Sequence, residues 1–245
     1  MEDGKPPIWP EWREFIQHLA RQIELALDFI ITNQDTIIEL LEQFTEGDRL
    51  ATVGWLPHPI LAQLKRSRVA TEDFRTRIEV HYRTYWPLMR DGFVDNLETS
   101  SLDALAKEVM RQAIELHESG HFRAVPRLLF PEIERLARRH FEEGELDPAT
   151  SAKGLRSHLM KLPLQVHRAG PQHRFLHLLI ALESHIFEHV NTPEALAKYR
   201  SSEVPNRHAC MHGLVDYSSF QSSLNMLILA DYCFGTAARF GRIIG

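Results

Sequence analysis

The chain has 245 residues, 44% hydrophobic and 25% charged, and its 28 Lys+Arg against 33 Asp+Glu leave a formal net charge of -5. A chain of that length buries a substantial core, as one large domain or two small ones, without help from disulfides or metals. With no polybasic tail, binding to nucleic acid through the field of the whole protein is excluded, and only a local basic patch is left to do it.

At the N-terminus, MEDGKPPIWP is acidic and Pro-rich where a secretory segment would be basic and then apolar. Apolar residues then recur at three- and four-residue steps with almost no strand-like alternation, which predicts an all-α helical bundle. Trp12, Phe15, Ile16, Leu19, Ile23, Leu27, Ile30, Ile37, Leu41 and Phe44 predict one long helix or two stacked ones ending near Gly47. GWLPHPIL (54–61) is expected to be an ordered connector, because its prolines remove backbone donors and disfavour helix in the residue before them. Thr71, followed by Glu72 and Asp73, starts a helix that Phe74, Ile78, Tyr82 and Tyr85 carry to about Gly92. The polar, turn-rich DNLETSSLD (95–103) separates an N-terminal helical region, 1–98, whose role no residue identifies, from a C-terminal domain, 99–245.

Leu102 to His117 predicts an amphipathic helix closed by Glu118-Ser119-Gly120, and a second helix runs from near Phe122 to Phe141. Pro126 fits its opening turn, whereas Pro131 is expected to kink or break it. EEGELDPATS (142–151) reads as a loop, helices are expected at 152–162 and 172–190, and a last one covers about Phe220 to Phe240. The apolar run LNMLILA (224–230) stops at Asp231, far short of a membrane span. Cys210 and Cys233 have no CxxC or paired spacing, which with the missing secretory segment predicts reduced thiols in a soluble, cytoplasmic protein.

The stretch PNRHACMHG (205–213) concentrates one arginine and two histidines between a proline and a glycine. Spacing alone carries little, because Arg13/His18, Arg135/His140 and Arg168/His173 repeat the separation of Arg207/His212. The local frame distinguishes it: Pro205 suits the first position of a helix and Gly213 the left-handed residue that ends one, which predicts two helical turns, Pro205 to His212. On that helix His208 and His212 share a face while Arg207 lies about 140° around from His212. So short and polar a segment suits a rim that presents functional groups better than a core. Histidine moves protons near neutral pH without a metal, and arginine offers a permanently charged fork matched to phosphate oxygens. The types fit phosphoryl chemistry on RNA, with the acid or base role of His212 left open.

Asn206-Arg207-His208-Ala209-Cys210-Met211-His212-Gly213, followed by Asp216-Tyr217 and an apolar helix from Phe220, resembles the signature of the HEPN superfamily. The likeness covers roughly residues 100–240 and implies an all-α domain whose Arg-x(4 to 6)-His motif cleaves RNA without metal or cofactor, as in toxins and phage-defence effectors. It implies Arg207 and His212 as catalytic residues oriented by Asn206 and His208, with Asp216 and Tyr217 alongside. Glu134, in the helix of GHFRAVPRLLFPEIERLARRHF (120–141), would face the motif. A homodimer would bring two motifs into one composite site, and cleavage would leave a cyclic 2′,3′-phosphate and a 5′-hydroxyl. A cognate inhibitor or activator is a further implied partner. The competing class is a catalytically silent HEPN-like module that binds a nucleotide or a partner, and a third is a structural helical adaptor.

Other constellations have plainer readings. His173/His177 and His185/His189 have the spacing of a zinc-binding helix, but with no HExxH the default is helix surface or interface, and no metal site is assigned. Arg135, Arg138, Arg139 and His140 form a basic run suited to guiding an RNA backbone or, more commonly, to closing a solvated helix face. Tyr217 and Phe220 offer faces on which a base could stack, although Phe220 fits a core. Cys210 reads as a small apolar residue, and Trp12, Trp55, Tyr85 and Trp86 as packing anchors.

Overall fold

The computed structural model describes residue 50 and residues 52–63, 71–141 and 185–244, and among them every regular element is helical. A 3-10 turn, Pro59–Gln63, precedes α1 (Thr71–Thr84), α2 (Trp86–Thr99), α3 (Ala104–Glu118), α4 (Ala124–Phe141), α5 (Pro193–Arg200), α6 (Arg207–Met211) and α7 (Phe220–Ile244). The long helix expected before Gly47, the loop at 142–151, the helix at 152–162 and most of that at 172–190 lie outside the described residues.

The centre is α7, packed on α4 and α3, with α3 also against α4. Leu224, Met226, Leu227, Ile228, Leu229 and Ala230 are all buried, so this stretch of the helix is wrapped on every side, which is why it is apolar apart from Asn225. Among the described residues no helix is long and apolar enough to cross a membrane. Leu50, Trp55, Leu56, Ile78, Tyr82, Met89 and Phe93, which the sequence places within 1–98, join the same core as α3, α4 and α7, and the compact unit runs from Leu50 onward.

The prolines of the 54–61 connector leave it short of backbone partners, and side chains supply them. Gln221 Nε2 donates to Val53 O (2.9 Å) and Gly54 O (2.8 Å). Asn225 accepts from Leu56 N (2.9 Å) and donates to Gly54 O (2.8 Å). Tyr82 Oη donates to Leu56 O (2.7 Å), and Tyr232 Oη to Pro57 O (3.0 Å). Gly54, at φ +72°, makes the turn that a side chain would strain.

Several boundaries differ from expectation. The helix from Thr71 breaks at Tyr85 and restarts with Pro87 in its first turn, so 95–99, expected as turn, is helical. Asp103 caps α3 by accepting from Ala106 N (2.9 Å), one residue after the expected start. Helix α4 runs unbroken through Pro131, which is exposed, so the missing backbone donor falls on the solvent side of the helix. Helix α5 was not expected, although Thr192 caps it at Ala195 N (3.2 Å) and Pro193 opens it. The helix expected to reach 190 ends at Ile186, and α7 extends to Ile244.

Two histidines make the fold acid-sensitive. Half-buried His58 accepts from Ile60 N (3.2 Å), and burial lowers it from 6.5 to about 4. His117, buried among Trp86, Phe122 and Phe220 with Nδ1 2.7 Å from Ser223 Oγ, is lowered to about 4 by burial and then by the charge of Arg83. The unfolded chain takes up these protons below about 6.5 while the folded one refuses them until about 4, so stability is complete above that window and falls through it. The slope is at most about 1.4 kcal/mol per pH unit per histidine. Asp231, raised to about 6 by burial against the donation from Asn96, acts in the opposite sense below 6. Urea midpoints are therefore expected to fall between about pH 7 and pH 5, and His117→Phe to flatten that fall by about half.

Candidate functional site

Helix α6 starts because of Asn206. Fully buried and extended, its Oδ1 accepts from Ala209 N (2.8 Å) and caps a helix of only five residues. The cap thus falls one residue after Pro205, which lies outside the helix rather than at its first position, because an amide acceptor is what the free helical N–H groups require. The far end is as expected: His212 is the C-cap and Gly213, at φ +68°, is left-handed. Asn206 Nδ2 donates to His185 O (2.6 Å) and Glu188 O (3.0 Å), and the Asn206 N–H to Tyr217 Oη (3.1 Å). One residue therefore joins the cap to the segment before α5 and to the loop before α7.

Arg207, the first helical residue, reaches α4. Its Nε lies 2.6 Å from Glu134 Oε1 in an ion pair off the hydrogen-bond line, and Nη2 donates to Oε2 at 3.3 Å. Arg138 Nη2 stands 3.6 Å from the same carboxylate, whose side chain is only 16% exposed. Glu134 is thus brought to the motif, and a guanidinium so held has a fixed direction.

The histidines form a row. The His208 ring lies 4.5 Å from that of His212 and 5.1 Å from that of His189, centroid to centroid. Val190 N donates to His208 Nδ1 (3.4 Å), which leaves the neutral ring its proton on Nε2. Partial burial lowers the His208 pKa, followed by the charges of His212, His189 and Arg207, so this ring resists protonation. His212 is exposed. The arrangement offers a fixed guanidinium and imidazoles open to solvent, the groups needed to bind a phosphate and relay protons. Among the described residues no three His, Cys, Asp or Glu are grouped to hold a metal ion.

Other expected residues take different places. Tyr217 is buried on Asn206, so its ring is not free to stack on a base. Phe220 packs near Trp55 (6.4 Å) and His117 (4.9 Å) with the Arg83 guanidinium 3.8 Å above it. Asp216 is exposed and ion-paired with Arg123 Nε at 2.8 Å. Cys210 is buried, its thiol pushed up to about 11 by that burial, as befits a small apolar residue. His185 and His189 do not share a helix face, because the helix ends at Ile186: His185 Nε2 donates to Val204 O (2.9 Å) and His189 turns to His208. His173 and His177 lie outside the described residues.

The basic run divides. Arg135 bonds Glu132 (2.8 and 2.5 Å) and Asp103 (3.0 and 2.9 Å), and Arg139 pairs with Asp103. Of the three arginines, Arg138 turns to the motif side. His189 was read only as one of a zinc-spaced pair, and Arg127, in register with Glu134 on α4, and Arg123, in the turn before that helix, were missed. Compared with known proteins, the chain matches no family model, no curated protein and no solved structure.

Proposed function

We propose that the chain is a metal-independent endoribonuclease of the HEPN type, with Arg207 and His212 at a composite site of a homodimer. The observation that carries this reading is the clamping of Arg207 by Glu134 at one end of a five-residue helix whose other end presents His212 beside His208. A ribose 2′-hydroxyl attacks the adjacent phosphorus as one imidazole takes its proton. The phosphorus–5′-oxygen bond breaks, a protonated imidazole delivers a proton to the leaving oxygen, and Arg207 offsets the charge building on the phosphoryl oxygens. Met211 and Leu214, apolar and 41% and 36% exposed, flank His212 with a rim suited to burial against a second copy. An effector of this kind is held silent by a cognate inhibitor or awaits an activator.

The test is incubation of purified protein with RNA in excess EDTA. Cleavage is expected to survive, leaving cyclic 2′,3′-phosphate and 5′-hydroxyl ends; cleavage abolished by EDTA, or ends carrying a 5′-phosphate, overturns the proposal. A silent nucleotide- or partner-binding module is the second reading, favoured by the pairing of Arg207 with a carboxylate in the resting protein. Saturable nucleotide binding with RNA left intact would support it.

A further inference from the structure

Positions 127, 134 and 138 fall within about 40° of one another on an ideal helix, so Arg127, Glu134 and Arg138 form one stripe along α4, and Arg123, in the turn just before Ala124, offers its carbonyl to Arg127 at the start of that stripe. Glu134 shows where the stripe points, because it holds Arg207 of α6. Arg135 and Arg139, bound to Asp103 and Glu132, occupy a different face. Arg123 is 62% exposed and Arg138 41% exposed along their side chains. Arg127 is partly exposed, and its Nη1 donates only to the Arg123 carbonyl (2.9 Å) among the bonds of the described residues. With Arg207 the stripe gathers four guanidiniums against the carboxylates of Glu134 and Asp216, on a chain whose formal net charge is -5. A cationic line beside the motif is therefore not inherited from composition.

We infer that Arg123, Arg127 and Arg138 form a track for the backbone phosphates of single-stranded RNA, leading the strand along α4 to Arg207. The inference rests on the ribonuclease reading above for its ligand. From Arg127 to Arg138 the track is about 16 Å long, enough for several successive phosphates and not a single ion. A single strand is the ligand because in-line attack by a 2′-hydroxyl needs a backbone free to rotate, and because a duplex presents its backbone across a width that one helix edge does not cover. Arg123 exchanges its exposed partner Asp216 for phosphate, as exposed ion pairs permit at little cost, while the shielded Glu134 carboxylate stays paired with Arg207 when Arg138, 3.6 Å away, turns to phosphate.

The experiment measures binding of a fluorescent single-stranded RNA with every 2′-hydroxyl methylated, which cannot be cleaved, across a salt series. For the wild type log K falls linearly with log salt; Arg127→Gln is expected to weaken binding about tenfold and to make the slope shallower by about 0.7, the loss of one phosphate contact. Arg127→Lys, which keeps the charge, should keep the slope. Arg111→Gln, on α3 beside Glu98, should match the wild type. An unchanged slope in Arg127→Gln, or an equal change in Arg111→Gln, overturns the track. A protein that binds with an Arg127-dependent slope but never cleaves RNA keeps the track and loses the ribonuclease reading; one that cleaves while Arg127→Gln leaves the slope unchanged loses the track alone.

Discussion

Replacing His212 with alanine is expected to slow RNA cleavage by about 100- to 10,000-fold, the range that a lost proton-transfer group costs. The side chain is exposed at the C-cap of α6, and the cap itself is a backbone bond from His212 N to His208 O (3.1 Å) that alanine retains. Stability should therefore stay within about 0.5 kcal/mol of the wild type, separating chemistry from folding. Arg207→Ala is expected to cost about 100- to 1,000-fold, as for one donor to a developing oxyanion, and Arg207→Lys to recover little because a lysine cannot reproduce the two-pronged contact with Glu134 and phosphate. Single-turnover rates on a labelled RNA in EDTA, with urea melts of each variant, decide this. Cleavage by His212→Ala within a few-fold of the wild type would remove the histidine from the mechanism.

Glu134 helps place that loss. Its carboxylate lies on both the Arg207 and Arg138 guanidiniums, so Glu134→Gln leaves the chemistry's groups in place but loosens the direction of Arg207. The expected loss is smaller than that of Arg207→Ala and is carried by the catalytic step rather than by binding, since the freed guanidinium still attracts phosphate.

Much of this site was legible in the sequence because it is built locally. The left-handed Gly213 and the sharing of one face by His208 and His212 follow from residue type and helical period, whereas the start of α6 was placed at Pro205 and falls after the Asn206 cap. Glu134 entered through the resemblance of its helix to a known pattern, and no rule of spacing places it opposite Arg207. What escaped depends on long-range turns. His189 reaches His208 only because its helix stops at Ile186, and local apolar periodicity extends beyond that stop. The division of the arginines of α4 was unreadable because Asp103, which captures Arg135 and Arg139, is a cap residue on another helix. The same holds for the connector after Gly54: its order was expected from its prolines, but its partners, Gln221 and Asn225, come from a helix far along the chain.

Asn206→Ala is expected to remove about 3 kcal/mol of stability, more than a helix cap alone is worth. A cap contributes about 1 kcal/mol, but here the same amide also satisfies the carbonyls of His185 and Glu188, and alanine takes the donor from these partly buried acceptors and the acceptor from the buried Ala209 N–H. The sharper variant is Asn206→Asp. Aspartate caps helices as well as asparagine does, so a role confined to capping predicts a neutral change. In this site the second oxygen would replace the Nδ2 donor 2.6 and 3.0 Å from two carbonyl oxygens, where it meets like partial charge in a buried setting. Asn206→Asp is therefore expected to be at least as destabilising as Asn206→Ala, and to release the His189 side of the histidine row from α6. Urea midpoints of the two variants, compared at one pH, test the claim: an Asp variant as stable as the wild type would reduce Asn206 to a cap, and the joining of the two segments through one amide would have to be given up.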